Sequence, residues 1–282
     1  MRLGRPPVTR FAPSPTGYLH LGHVVNAIYV WGVARALGGM VLLRIEDHDR
    51  IRSRPAFEAA LLEDLDWLGF AAGHGRDPLL RQSERTRSYE SALADLRGRH
   101  RVYACTCSRK EIGGARYPGT CRARGLADAP GRGLRVQIET GREAFVDALL
   151  GPQVQHPAED AGDLLLRDRD GHWTYQFAVT VDDQRDGVTL VIRGADLLFS
   201  SGRQLRLARM LGRAEPPVFL HHPLLCDATG RKLSKSDGDA GVRELRAVGH
   251  DAAEVIGRAA TAVGLLDRFR PIPASAVAEL FA

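Results

Sequence analysis

Apolar residues fall in two kinds of run along this chain. Short, nearly unbroken runs at residues 8–12, 40–45, 189–193 and 218–225 have the length and continuity of strands buried on both faces of a parallel sheet. Residues 24–37, 56–68, 88–97 and 200–211 carry apolar positions at helical spacing, and two further helices are expected at 251–265 and 274–281. Asp251 and Glu254 give the first of these a capping-box start. Strands alternating with helices predict an α/β, doubly wound (Rossmann-type) fold. A strand at 101–104 brings its first half to a break. The expected organisation is therefore a core in two halves, 1–104 and 189–237, an insert at 105–188, and a short helical region at 238–282.

The insert has its own character. Residues 113–133 are dense in glycine, proline and arginine and cannot bury enough apolar surface to order themselves, so something should clamp them. Cys105 and Cys107 stand just before this stretch and Cys121 inside it. A thiol pair at the mouth of a glycine-rich loop points to a metal more than to three unrelated thiols. Residues 134–138 and 162–167 alternate like strands, and 171–183 return the chain toward the core. Asp182, Asp183 and Asp186, with the acids at 168 and 170, read as solvated turns, and Cys226 reads as core.

Composition changes this picture little. The 282 residues carry a net charge of +5 with arginine dominant, and the isoelectric point is about 9.3. Such an excess suits a phosphate-rich partner, although an arginine-rich soluble protein would show it too. Residues 1–7 lack the apolar core of a secretory signal, and the most apolar window, 24–43, is broken by Asn26, Arg35 and two glycines. A cytoplasmic protein without a membrane span is expected, its cysteines being thiols or metal ligands rather than disulfides.

The chemistry gathers at residues 10–23, RFAPSPTGYLHLGH. Two prolines and Gly17 forbid regular structure between the first strand and the helix that follows, giving strand, tight loop, helix. There a parallel sheet binds phosphates: helix-end amides favour an anion, Gly22 allows close approach, and His20 and His23 add donors. Two histidines about a glycine are commonly mere surface or capping residues. A second piece far downstream, RKLSKS at 231–236 on a glycine-flanked loop, makes the functional reading the better one.

Together these stretches resemble the paired HIGH and KMSKS elements of class I aminoacyl-tRNA synthetases. RFAPS at 10–14, LRIED at 43–47, RQSER at 81–85 and VIRGAD at 191–196 are similar to the glutamyl-tRNA synthetase branch. The resemblance covers the chain up to about Ser236. It implies that His20, His23 and Gly22 meet the phosphates of ATP, that Lys235, assisted by Lys232, stabilises the transition state, and that Mg2+ arrives with the nucleotide. For L-glutamate it implies Arg10, Phe11, Ala12, Pro13, Ser14, Glu46 on the α-ammonium, Tyr175 and Arg193. Arg10 and Arg193 also end apolar strands, where a guanidinium is costly unless paired and suits a carboxylate, whereas Glu46 could simply pair with Arg44.

The Cys-x-Cys, nine residues, Tyr, three residues, Cys spacing resembles the zinc site of the glutamyl-queuosine tRNA(Asp) synthetases. That likeness implies structural Zn2+ on Cys105, Cys107, Tyr117 and Cys121, with His100 or water as alternatives to Tyr117. The residues beyond Ser236 are too few for an anticodon-gripping region. The implied reaction is therefore ATP-dependent transfer of glutamate to queuosine in the anticodon loop of tRNA(Asp), with no obligate protein partner. Rivals are a minimal enzyme charging the 3′ end of tRNA(Glu), a small-molecule nucleotidylyltransferase with the same His-x-Gly-His helix start, and a non-catalytic tRNA-binding relative.

Overall fold

A computed structural model describes residues 4–48, 52–70, 79–225 and 241–282. In chain order the elements are β1 (Val8–Phe11), α1 (Leu21–Ala36), β2 (Met40–Ile45), α2 (Pro55–Leu68), β3 (Leu80–Arg81), α3 (Thr86–Arg99), β4 (Val102–Cys105), α4 (Arg109–Ile112) and β5 (Gly133–Val136). Then follow β6 (Glu143–Asp147), β7 (Gly151–Gln155), α5 (Pro157–Asp160), β8 (Leu164–Arg167), α6 (Tyr175–Arg185), β9 (Leu190–Gly194), α7 (Ser201–Met210), β10 (Val218–His222), α8 (Val242–Ala247) and α9 (Ala252–Ala262). Two compact units share them. One comprises Met1–Arg81, Val188–Asp196 and Leu220–Ala282; the other comprises Gln82–Gly187 and Leu197–Phe219.

In the first unit β1 and β2 pair in parallel from Val8↔Met40 to Phe11↔Leu43, and β3 continues in parallel through Arg44↔Leu80. On the other side of β1 lies β9, the Thr189 N–H donating to the Val8 carbonyl at 2.9 Å, and β10 neighbours β9. The spatial succession β3, β2, β1, β9, β10 reverses its sequence direction at β1, which is the switch point where doubly wound sheets bind ligands. Helix α1 is apolar nearly all round, with Val24, Val25, Ile28, Val30 and Trp31 buried, because it is sandwiched. Against it packs a 3-10 helix at Ala274–Phe281, where the α-helical pattern predicts an α-helix. Gly32 permits that approach, since a Cβ there would meet Phe281 and the Val277 carbonyl. The capping box of α9 forms as expected, the Asp251 carboxylate accepting the Glu254 N–H at 2.8 Å.

The second unit holds a different sheet. Residues 101–104 are grouped by pattern with the parallel elements, yet β4 pairs antiparallel with β5, and β5 antiparallel with β8. A four-residue apolar run does not identify its partner, which is why the sequence cannot make this assignment. β6 and β7 form a hairpin that the pattern does not announce, because Pro152, two glutamines and two acids interrupt its apolar positions. Residues 175–185 are helical, burying Phe177, Ala178 and Val181 against Tyr89, Leu93 and Leu207.

That helix corrects one expectation. Asp182 is fully buried rather than a solvated turn: it accepts from Gln82 at 2.8 Å, from Arg85 at 2.9 Å and from the Tyr89 hydroxyl at 2.9 Å. Asp183 is buried as well, and Asp186 binds Arg85 at 2.8 Å. The donors to Asp182 and Asp186 are drawn from sequence positions about a hundred residues away, which no local pattern records. Asp168 does cap a turn, accepting the N–H groups of Asp170 and His172.

Candidate active site and metal centre

The loop between β1 and α1 ends on His20, the N-cap of the helix, with extended φ −130° and ψ 172°. Its Nδ1 accepts the Gly22 N–H at 3.1 Å, and the Nδ1 of His23 accepts the His20 N–H at 3.2 Å, a reciprocal cap built from two imidazoles. An accepting Nδ1 places the ring proton of each neutral histidine on Nε2. The histidines therefore do cap the helix, and the cap is what orients them as donors. Gly22 is required for the same reason: a Cβ there would stand 2.9 Å from Cε1 of His20. The first turn of α1 contains no acidic residue, so the positive end of its dipole is not neutralised from within the helix.

Three neighbouring strands, β2, β1 and β9, each carry a buried arginine: Arg44, Arg10 and Arg193. Arg10 donates from Nη1 to the Ile192 carbonyl at 3.2 Å, which ties β1 to β9 across the switch point. Arg193 donates from Nε to Nε2 of His221 on β10 at 3.0 Å. Glu46, just past β2, is 5 % exposed and accepts from Nη2 of Arg44 at 3.2 Å, so the pairing left open from sequence exists. Burial pushes the Glu46 carboxyl above the usual carboxylate range, against the pull of Arg44, Arg10 and His48. Its backbone N–H donates to the Pro13 carbonyl at 3.0 Å, fastening the loop to the end of β2. Phe11 is buried against Trp31, ring centroids 5.0 Å apart, Pro13 is buried, Ala12 is half-buried and Ser14 is exposed. Tyr175 opens α6 in the second unit. Lys232, Lys235 and Cys226 lie outside the described residues.

In the second unit, one ligand atom from each of Cys105, Cys107 and Cys121 lies within 4.8 Å of the others. Cys107 and Cys121 are 3.6 Å apart at sulfur, well beyond the roughly 2.05 Å of a disulfide. The Tyr117 hydroxyl accepts the Cys121 N–H at 2.8 Å and stands 3.4 Å from Cys105 Sγ. Its backbone is fixed by an N–H to the Ala161 carbonyl at 2.8 Å, and Gly162, at φ +69°, makes room for the Tyr117 carbonyl. Burial works against the Cys121 thiolate, yet hydrogen bonds from Thr106, Cys107 and Tyr117 bring its pKa down to about 6. Cys107 is pushed up to about 11, by burial first and then by its bond with Cys121 and the charge of Cys105. Crowded thiols that deprotonate at each other's expense, beside a phenol, form a donor set that fits a soft or borderline dication. His100 is not in this group; its Nε2 lies 3.2 Å from the Met210 carbonyl.

Residues 7–256 match the catalytic domain of the class I tRNA synthetases (E and Q). Glutamyl-Q tRNA(Asp) synthetase of Nitratidesulfovibrio vulgaris is 42% identical over 93% of this chain and 88% of its own length. The chain belongs to the glutamyl-Q tRNA(Asp) synthetase family of class I tRNA synthetases. Other synthetases of that name resemble it as closely: that of Burkholderia mallei is 45% identical over 82% of this chain and 81% of its own, and that of Symbiobacterium thermophilum 41% over 93% and 88%. Among solved structures, the glutamate-tRNA synthetase of Elizabethkingia anophelis superposes with a TM-score of 0.81 at 26% identity, covering 98% of this synthetase. This synthetase spans only 65% of that longer chain. No helix among its described residues is long and apolar enough to cross a membrane.

One contributor escaped the sequence reading. His221 sits in an apolar run, and only its alternation with His222 on β10 hints that it faces Arg193.

Proposed function

We propose that the protein activates L-glutamate with ATP and transfers it to the queuosine base in the anticodon loop of tRNA(Asp). The observation that carries this reading is identity of 41–45% to relatives of that name over most of both chains. In activation the glutamate α-carboxylate attacks the α-phosphorus of ATP, pyrophosphate leaves, and charge grows on the phosphate oxygens. His20 and His23 meet those oxygens with Nε2–H, alongside the amide end of α1. Arg10 and Arg193 take the carboxylates of glutamate and Glu46 its ammonium, with Ser14 and the backbone of residues 11–13 beside them. Lys235, with Lys232, stabilises the departing pyrophosphate. Gly241, six residues after Lys235, bridges His20, and the Val242 N–H donates to the Leu19 carbonyl at 3.0 Å, so the chain leaving the lysine motif is fastened beside the histidines. Mg2+ accompanies the nucleotide.

Cys105, Cys107, Cys121 and Tyr117 hold a structural Zn2+, which supplies a cross-link for the glycine-rich stretch and takes no part in the reaction. Reduced thiols accord with a cytoplasmic setting. The test has two stages. Glutamate-dependent ATP–pyrophosphate exchange without tRNA is expected; exchange indifferent to glutamate would favour a nucleotidylyltransferase. Labelled glutamate is then expected on tRNA(Asp) that carries queuosine and not on tRNA(Asp) lacking it. Charging of tRNA(Glu) in its place would overturn the acceptor assignment.

A further inference from the structure

We infer that His221 is the positioning residue for Arg193 and thereby sets the affinity for the amino acid. This inference rests on the reading of Arg193 as a carboxylate-binding residue. Both side chains are buried, His221 completely and Arg193 at 4 % exposure. They project from neighbouring strands β9 and β10, Arg193 Nε donating to His221 Nε2 at 3.0 Å.

An arginine can grip a carboxylate in two ways, side-on through Nε and one Nη, or end-on through both Nη groups. The bond to His221 commits Nε, which removes the side-on mode and fixes the plane of the guanidinium. The end-on edge is then the one from which the substrate is met. The partner must be an acceptor, so His221 is neutral with its proton on Nδ1; an imidazolium would turn a second N–H toward the guanidinium. The arrangement also explains why a histidine stands fully buried after the apolar start of β10: a buried polar group persists where it is hydrogen-bonded. Leucine would fill the place without holding the arginine. Glutamine would hold it, since Oε1 reaches about as far from Cβ as Nε2 of histidine does, whereas the asparagine oxygen falls short.

The experiment is steady-state ATP–pyrophosphate exchange by the full chain with glutamate and ATP varied in turn, for wild type, His221→Leu, His221→Gln, His221→Asn and Arg193→Ala. His221→Leu is expected to raise the KM for glutamate about tenfold, the size expected for losing a hydrogen bond to a charged group, with the KM for ATP within about twofold. His221→Gln is expected to stay within about threefold of wild type in glutamate KM. Equal impairment of the Leu and Gln variants would reduce His221 to packing, and a wild-type glutamate KM in the Leu variant would overturn the inference. Should the Leu variant fail to fold, the Asn and Gln pair decides: impairment confined to Asn supports the inference, and equal behaviour refutes it. Arg193→Ala separates the two layers. If it leaves glutamate KM unchanged, the carboxylate reading fails; if it raises KM while all His221 variants are normal, only the positioning role fails.

Discussion

At the scale of single residues, the site is governed by which ring atom or side-chain edge is already engaged. His20 and His23 spend Nδ1 on the helix cap, and that commitment makes each a donor at Nε2. Gly22 belongs to the same device, because a methyl group at that position collides with the His20 ring. Gly22→Ala should therefore separate stability from activity. Losing the cap costs about 1 kcal/mol, while alanine gains up to about 1 kcal/mol over glycine inside a helix, so the melting temperature should move little. The displaced imidazole should cost about a hundredfold in the rate of glutamate-dependent exchange, the usual loss on removing one donor to a developing oxyanion. Wild-type exchange by this variant would show that the cap does not orient the donor. That His20 and His23 open a helix and that Arg10 and Arg193 lie on buried strands was legible in the sequence, because motif and strand position coincide. Engaged atoms were not: neither the Nδ1 cap nor the Arg193–His221 pair leaves a mark in residue order.

Elements of the first unit announce themselves through hydrophobic pattern, since strands buried on both faces and a sandwiched helix read as continuous apolar runs. In the second unit α3, β5, β8 and α7 do so too, but three elements do not. β6 and β7 are half-polar, and α6 hides behind β-branched residues and acids, of which Asp182 and the following Asp186 find their partners near residue 85. The stretch at 113–133 reads in a third way, as a segment that needs a clamp to order itself. The cluster of Cys105, Cys107 and Cys121 beside Tyr117 is where the clamp would sit, and Asp163 reinforces its surroundings by accepting from Tyr103, Arg122 and the Ile138 N–H. Wild type should carry about one equivalent of zinc, and Cys121→Ser should lose it, because a structural tetrahedral site rarely survives removal of one thiolate. Amide exchange should then quicken over residues 102–136 while β1 and β2 stay protected, read by hydrogen–deuterium exchange with mass spectrometry. Unchanged protection over 102–136 in the metal-free variant would mean that packing alone orders the loop.

On the proposed function two demands meet over the whole molecule: a small dicarboxylate is taken by desolvated arginines, which salt screens weakly, and a polyanion by exposed cations, which salt screens strongly. The chain carries +5 at neutral pH, and much of its arginine is on the surface, as at Arg99, Arg101, Arg209 and Arg246. The two half-reactions should accordingly part company as ionic strength rises. A protein that neutralises about three phosphates loses roughly forty-fold in affinity for a fourfold rise in salt. Raising monovalent salt from about 50 to 200 mM should thus lift the KM for tRNA(Asp) at least tenfold, while the KM for glutamate in pyrophosphate exchange changes by less than about threefold. Measuring both in the same buffers makes the comparison internal. If the two constants rise together, the buried guanidiniums are not the groups that hold glutamate, because a desolvated pocket and an open surface cannot share one salt dependence.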